Sequence, residues 1–125
     1  MIHDERLERT TNGHGLLQDA DLAELRKLDA GAGQQIPMLQ EVADLLPATM
    51  AMNLELKGPG TAAPVAAWLA GAQPPQPVLV SSFDHAELRQ FRALNQQIPV
   101  APLFAKAHPD MLAIGQELNL SLIHI

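Results

Sequence analysis

Met52-Asn53-Leu54-Glu55-Leu56-Lys57 alternates apolar and polar residues without a break. That is the period of a β-strand whose two faces meet different surroundings. Met52, Leu54 and Leu56 point one way, and Asn53, Glu55 and Lys57 the other. In an open sheet covered by helices on both sides, a central strand is usually apolar on both faces. A barrel strand with helices outside and a polar site inside reads as this one does. So does an edge strand with one wet face, and the pattern leaves both open. Gly58-Pro59-Gly60 ends the run.

Downstream, residues 64–72 read as a helix, with Pro64 tolerated near its first turn. A proline-rich connector over 73–77 leads to Val78-Leu79-Val80, a short strand of the buried type. Asp84 then caps a helix that runs through Leu88, Phe91, Arg92 and Leu94. A third strand is expected over 98–104 despite Pro99 and Pro102, which are uncommon inside a sheet. A helix over 109–118 and the start of a further strand over 120–125 complete the chain. Upstream, Leu39, Val42, Ala43, Leu45 and Leu46 recur at helical spacing until Pro47. Asp21 and Glu24 resemble a capping box before a short helix over 22–28, with Gly31 and Gly33 as its end. Arg9-Thr10-Thr11-Asn12-Gly13-His14-Gly15 is a loop, and Asn12-Gly13 is foremost a turn signal. Residues 1–4 read as the end of a strand. Strands and helices therefore alternate with short connectors, which predicts an α/β fold with a parallel sheet. Alternation alone does not separate a closed barrel from a doubly wound sheet.

The bulk composition removes several classes of function. Of 125 residues, 47% are hydrophobic, enough for a buried core. Eight Lys and Arg stand against 14 Asp and Glu, for a net charge of −6. That balance opposes a broad phosphate-backbone footprint, and aromatics at 3% offer few stacking platforms, so nucleic acid is not expected as a partner. A local cationic pocket for one phosphate remains compatible. The absence of cysteine removes disulfides, thiolate metal sites and cysteine nucleophiles. No apolar run reaches the roughly 18 residues of a membrane span. Met1-Ile2-His3-Asp4 lacks the basic and apolar regions of a signal peptide.

Three stretches resemble the glycerophosphodiester phosphodiesterase family. The first is Ile2-His3-Asp4-Glu5 with Leu7, the loop from Arg9 to Gly15, then Leu22-Ala23-Glu24-Leu25 and Leu28-Asp29-Ala30-Gly31. The second is Ile36-Pro37-Met38-Leu39-Gln40-Glu41-Val42, followed by Asn53-Leu54-Glu55-Leu56-Lys57. The third is Val80-Ser81-Ser82-Phe83-Asp84 with Leu88-Arg89. The first is the most specific. Leu-Glu-Leu-Lys alone would carry nothing, but downstream of the first stretch it is strong support.

The resemblance implies a TIM (β/α)8 barrel with its site at the C-terminal ends of the strands. It implies two histidines for acid–base work and a divalent cation, Mg²⁺ or Ca²⁺, held by carboxylates. His3 matches one histidine, Glu55 one metal carboxylate and Lys57 a lysine near the phosphate. Asp4 and Asn12 match positions close to the site and Glu41 a position near it, while Ser82 and Phe83 lie at a strand's C-terminal end, where barrel sites are built and where Ser82 would shape the pocket or the loop. The His-Arg-Gly and Glu-x-Asp motifs that carry the other groups are absent. A TIM barrel takes about 250 residues. Residues 1–125 are therefore expected to be a partial domain, an incomplete barrel cut at both ends that lacks the first strands and the last ones.

Those residue types suit phosphodiester hydrolysis. A cation on carboxylate oxygens neutralises phosphate charge. Lys57 adds a positive point charge on the same strand face as Glu55. A histidine titrating near neutral pH can give or take the proton. The expected reaction releases sn-glycerol 3-phosphate and an alcohol from a small glycerophosphodiester. The 125-residue piece is expected to bind metal weakly and to turn over slowly or not at all. Competing readings are a non-catalytic α/β binding module from the same family and a related barrel phospholipase. Glu41 also reads as a first-turn charge favoured by the helix dipole, and Ser82 has no visible base to make it a nucleophile. His85, His108 and His124 lie in no motif and read as surface or structural. The short span from His3 to Glu55 resembles compact cytosolic bacterial enzymes, so a cytoplasmic location is expected. Oligomeric state and head group are not legible.

Overall fold

The computed structural model describes residues 1–119. The strand expected over 120–125, with His124, lies outside them. The chain divides into two compact units, Met1–Leu45 and Leu46–Ile125.

The first unit is mostly loop. It holds a 3-10 turn at Leu17–Asp19 and two short helices, α1 at Leu22–Leu25 and α2 at Leu39–Leu45. Residues 1–4 form no strand; the nearest pairing is an isolated antiparallel bridge between Arg6 and Leu16. A strand needs a neighbour's ladder of N–H and C=O groups, and among the described residues this segment has none. The Asp21–Glu24 capping box forms in both directions at the start of α1. The helix stops at Leu25, however, well before Gly31 and Gly33. Lys27 N–H and Leu28 N–H bond only three residues back, to Glu24 and Leu25 at 3.0 and 3.3 Å, which tightens the last turn. The two glycines instead belong to the following loop, where their N–H groups donate to Asp29 Oδ1 at 2.7 and 3.0 Å. A Cβ on Gly13 would lie 2.7 Å from Leu28 Cδ1, so a larger residue there would push that leucine side chain aside. Buried apolar residues in this unit are Leu7, Ile36 and Ala43.

The second unit runs β1 (Met52–Glu55), α3 (Ala62–Ala72), β2 (Val78–Ser82), α4 (His85–Leu94), β3 (Val100–Pro102) and α5 (Met111–Glu117). Among the described residues the sheet order is β1-β2-β3, all parallel. Each strand lies beside its successor with a helix between, the rhythm the sequence predicts. Alternation on β1 is seen directly: Met52 and Leu54 are buried, Asn53 and Glu55 exposed. Leu54, Val80 and Val100 share a level across the sheet, and α4 packs on β2 and β3 with α3 beside it. Leu88 and Phe91 of α4 are fully buried, as their three-residue spacing on one helix face requires. Asp84 caps α4 as expected, accepting from Ala86 N–H at 2.9 Å. Pro64 sits in the first turn of α3, where its missing N–H breaks no helical bond.

Candidate active site

In the first unit, His3 and Asp4 meet. His3 Nδ1 lies 2.7 Å from Asp4 Oδ1. Arg9 grips the same carboxylate with its fork: Nη2 donates to Oδ1 at 2.7 Å, and Nε donates to Oδ2. These bonds, Arg9 first and His3 second, hold the Asp4 carboxyl well below the usual carboxylate range. Asp4 therefore stays ionised, and it orients the imidazole through Nδ1. The loop carrying Arg9 is itself braced. Leu7 N–H donates to Gly15 O at 3.1 Å, and Thr11 Oγ1 donates to Leu7 O at 2.7 Å.

Asn12 and Glu41 are tied into the same unit. Asn12 Oδ1 accepts from Asp29 N–H at 2.9 Å, and Asn12 N–H donates to Asp29 O at 3.0 Å. Glu41 takes both guanidinium nitrogens of Arg26 at 2.7 Å and the Met38 N–H at 2.8 Å. The Arg26 side chain is the larger cause of its lowered pKa, and the Met38 amide the next.

The second unit carries the remaining candidates at the C-terminal ends of its strands. Glu55 closes β1 on the exposed face, and Lys57 follows on that side. Ser82 is fully buried and joins the ends of β1 and β2. Its Oγ donates to Leu56 O at 2.5 Å and accepts from Asp84 N–H at 2.9 Å. Both sides of the hydroxyl are thus used in shaping the turn. Phe83, next along, is 56% exposed.

One contributor has no signal in the sequence pattern. Glu87 on α4 is buried, and its carboxylate accepts from Gly60 N–H at 2.7 Å and Ala62 N–H at 2.8 Å. Thr61 makes no side-chain cap for α3. Its hydroxyl donates instead to Gly58 O at 2.7 Å. Glu87 thus satisfies the first amides of α3 from another helix, 27 residues from Gly60. Gly60 has φ +76°, a left-handed conformation that favours glycine. The loop behind Lys57 is therefore set by tertiary contact. Arg9 lies in the loop quoted for the resemblance, but its grip on Asp4 has no signal of its own, because an arginine in a polar loop looks like any solvated charge.

The described residues contain no group of three or more His, Cys, Asp or Glu able to hold a metal ion. Glu55 offers carboxylate oxygens of the type Mg²⁺ or Ca²⁺ takes, but one carboxylate does not make a cation site. The described residues alone do not fit the cation.

A profile of the glycerophosphoryl diester phosphodiesterase family matches residues 1–120. The chain belongs to that family. A glycerophosphodiester phosphodiesterase of Caldanaerobacter subterraneus is 33% identical over 117 residues, covering 83% of this chain and 48% of the relative. Another, from Bacillus altitudinis, is 36% identical over 127 residues, covering 89% and 52%. Among solved structures, a phosphodiesterase of Oleispira antarctica in complex with the product sn-glycerol-3-phosphate superimposes with TM-score 0.87 at 29% identity. That match covers 99% of this chain and 56% of that one. The chain thus spans about half the length of the curated relatives it matches. It is α/β and carries part of a TIM barrel, and among the described residues β1 is an edge strand of the parallel sheet, so both readings of its alternation have support. No helix of the described residues is long and apolar enough to cross a membrane.

Proposed function

We propose that the family protein containing this chain hydrolyses glycerophosphodiesters to sn-glycerol 3-phosphate and an alcohol. The observation that carries the reading is the superposition on a phosphodiesterase solved with that product, in a chain whose polar strand face ends in Glu55 and Lys57. His3 is the general acid–base group. With Nδ1 engaged by Asp4, its proton is exchanged at Nε2. Asp4 holds the ring, Arg9 holds Asp4, and Lys57 meets a non-bridging phosphate oxygen. Glu55 is one donor to a divalent cation, Mg²⁺ or Ca²⁺, whose charge neutralises phosphate. The other donors belong to parts of the family fold outside this chain. Asn12 and Glu41 serve the site by holding their loops, and Ser82 and Phe83 shape the turn after β2. The compact spacing supports a cytoplasmic enzyme acting on a small soluble diester.

The 125-residue chain by itself is expected to release no glycerol 3-phosphate from glycerophosphocholine, with Mg²⁺ or Ca²⁺ or with chelator. Grafted in place of the matching half of the Bacillus altitudinis relative, it should support metal-dependent release. His3→Ala and Glu55→Gln should each abolish that release. A graft that folds, judged by circular dichroism, yet stays inactive would favour the alternative of a non-catalytic binding module.

A further inference from the structure

Two adjacent serines end β2, and they are treated differently. Ser82 has a donor and an acceptor for its hydroxyl. Ser81 is 1% exposed, and its Oγ has no hydrogen-bond partner among the described residues. Ser81 pairs in register with Glu55 on one side and Ala101 on the other. Register partners in a parallel sheet project to the same face, so the Ser81 hydroxyl stands on the Glu55 side, one strand in from it. A neighbouring strand lies about 4.8 Å away, within reach of anything Glu55 and Lys57 approach together. Buried polar groups without partners are uncommon and call for a physical reason. A hydroxyl that folding leaves unpaired, beside the two residues assigned to phosphate chemistry, is placed to serve a ligand.

We propose that Ser81 Oγ is a binding group of this site, donating a hydrogen bond to a non-bridging oxygen of the phosphate whose charge Lys57 meets. This rests on the assignment of Glu55 and Lys57 above. The hydroxyl is a neutral donor to an anionic acceptor, a bond of the stronger kind, and it adds no charge beside the Glu55 carboxylate. Sitting on the middle strand, Ser81 is held on both sides by the ladder, so its donor is placed before the ligand arrives.

The test measures thermal unfolding for the 125-residue chain and its Ser81→Ala and Ser82→Ala variants. Binding is titrated on the same three sequences carried in the Bacillus altitudinis graft, with glycerol 3-phosphate and, separately, inorganic phosphate, with Mg²⁺ present. Ser81→Ala should unfold at the same temperature or higher, because an unpaired buried hydroxyl contributes nothing to the fold. It should bind both probes roughly tenfold more weakly or worse. Ser82→Ala should lower the unfolding temperature. If Ser81→Ala is destabilised as Ser82→Ala is, the hydroxyl has a structural partner and the proposal is wrong. Unchanged affinity, where the wild-type graft does bind, also overturns it, while leaving Glu55 and Lys57 in place. Weakening confined to glycerol 3-phosphate would move the hydroxyl to the glycerol end and refute the phosphate assignment. A folded wild-type graft that binds neither probe would remove the phosphate site on this strand face, and Ser81 with it.

Discussion

The two units hold their candidate residues by different physics. Residues 1–45 bury Leu7, Ile36 and Ala43 and otherwise depend on polar clamps: Arg9 on Asp4, Asn12 on Asp29, Arg26 on Glu41. His3 is placed by this web. The second unit buries Met52, Leu54, Leu56, Val80, Leu88 and Phe91, and it hangs Glu55 on a strand whose other face is in that core. Ion pairs at exposed positions contribute little each and are sensitive to charge state, whereas buried apolar area is indifferent to pH. His3 and the strand-borne Glu55 should therefore lose their placement under different conditions.

The largest effect is expected from Phe91→Ala, which empties a fully buried site. It should cost about 3–5 kcal/mol, read by urea unfolding. Amide exchange should rise over residues 46–119 before it rises over 1–45. An equal rise in both would break the contrast and make the chain one cooperative unit.

Glu87→Ala comes next. It strips the acceptor from Gly60 and Ala62 amides and should cost about 1–3 kcal/mol. Those two amides should exchange faster while the β1–β2 ladder stays protected. If the whole sheet loses protection, Glu87 supports the core and not the loop behind Lys57.

The smallest effect is a titration. Asp4 has its carboxyl lowered from a value of 3.8 by Arg9 and then His3. A depressed carboxyl adds stability that is fully present above its unfolded value. That stability is lost only as pH falls through the folded value. The Asp4 carboxyl ¹³C shift should therefore show a midpoint below 3.8, and Arg9→Gln should move it upward. A midpoint at or above the unfolded value would mean that the clamp on His3 does not exist in solution. Protection in the second unit should be unaffected by Arg9→Gln.

Much of this was legible locally. The β1 alternation, the Asp21–Glu24 box, the Asp84 cap and the strand–helix rhythm each depend on residues within a turn or a strand of one another, so neighbours in sequence are enough to state them. What neighbours in sequence do not state is where a distant partner decides the local geometry. Asn12 holds Asp29 from across a loop, and the chain after α1 tightens and turns before the glycines expected to end the helix. Residues 1–4, which read as the end of a strand, have no pairing partner among the described residues.

By itself, then, the sequence determined the element order, the polar face that carries Glu55 and Lys57, and His3 as the residue to watch. Each follows from the period of a strand, the chemistry of a cap, or a motif resemblance. Only the tertiary structure decided that Arg9 locks Asp4 onto His3, that Glu87 caps α3 from a neighbouring helix, and that Ser81 Oγ has no partner among the described residues while Ser82 Oγ has two. Those outcomes turn on which donor meets which acceptor after the chain has folded back on itself. Spacing along the chain holds no record of such meetings, because a buried carboxylate and a solvated one are written with the same letter.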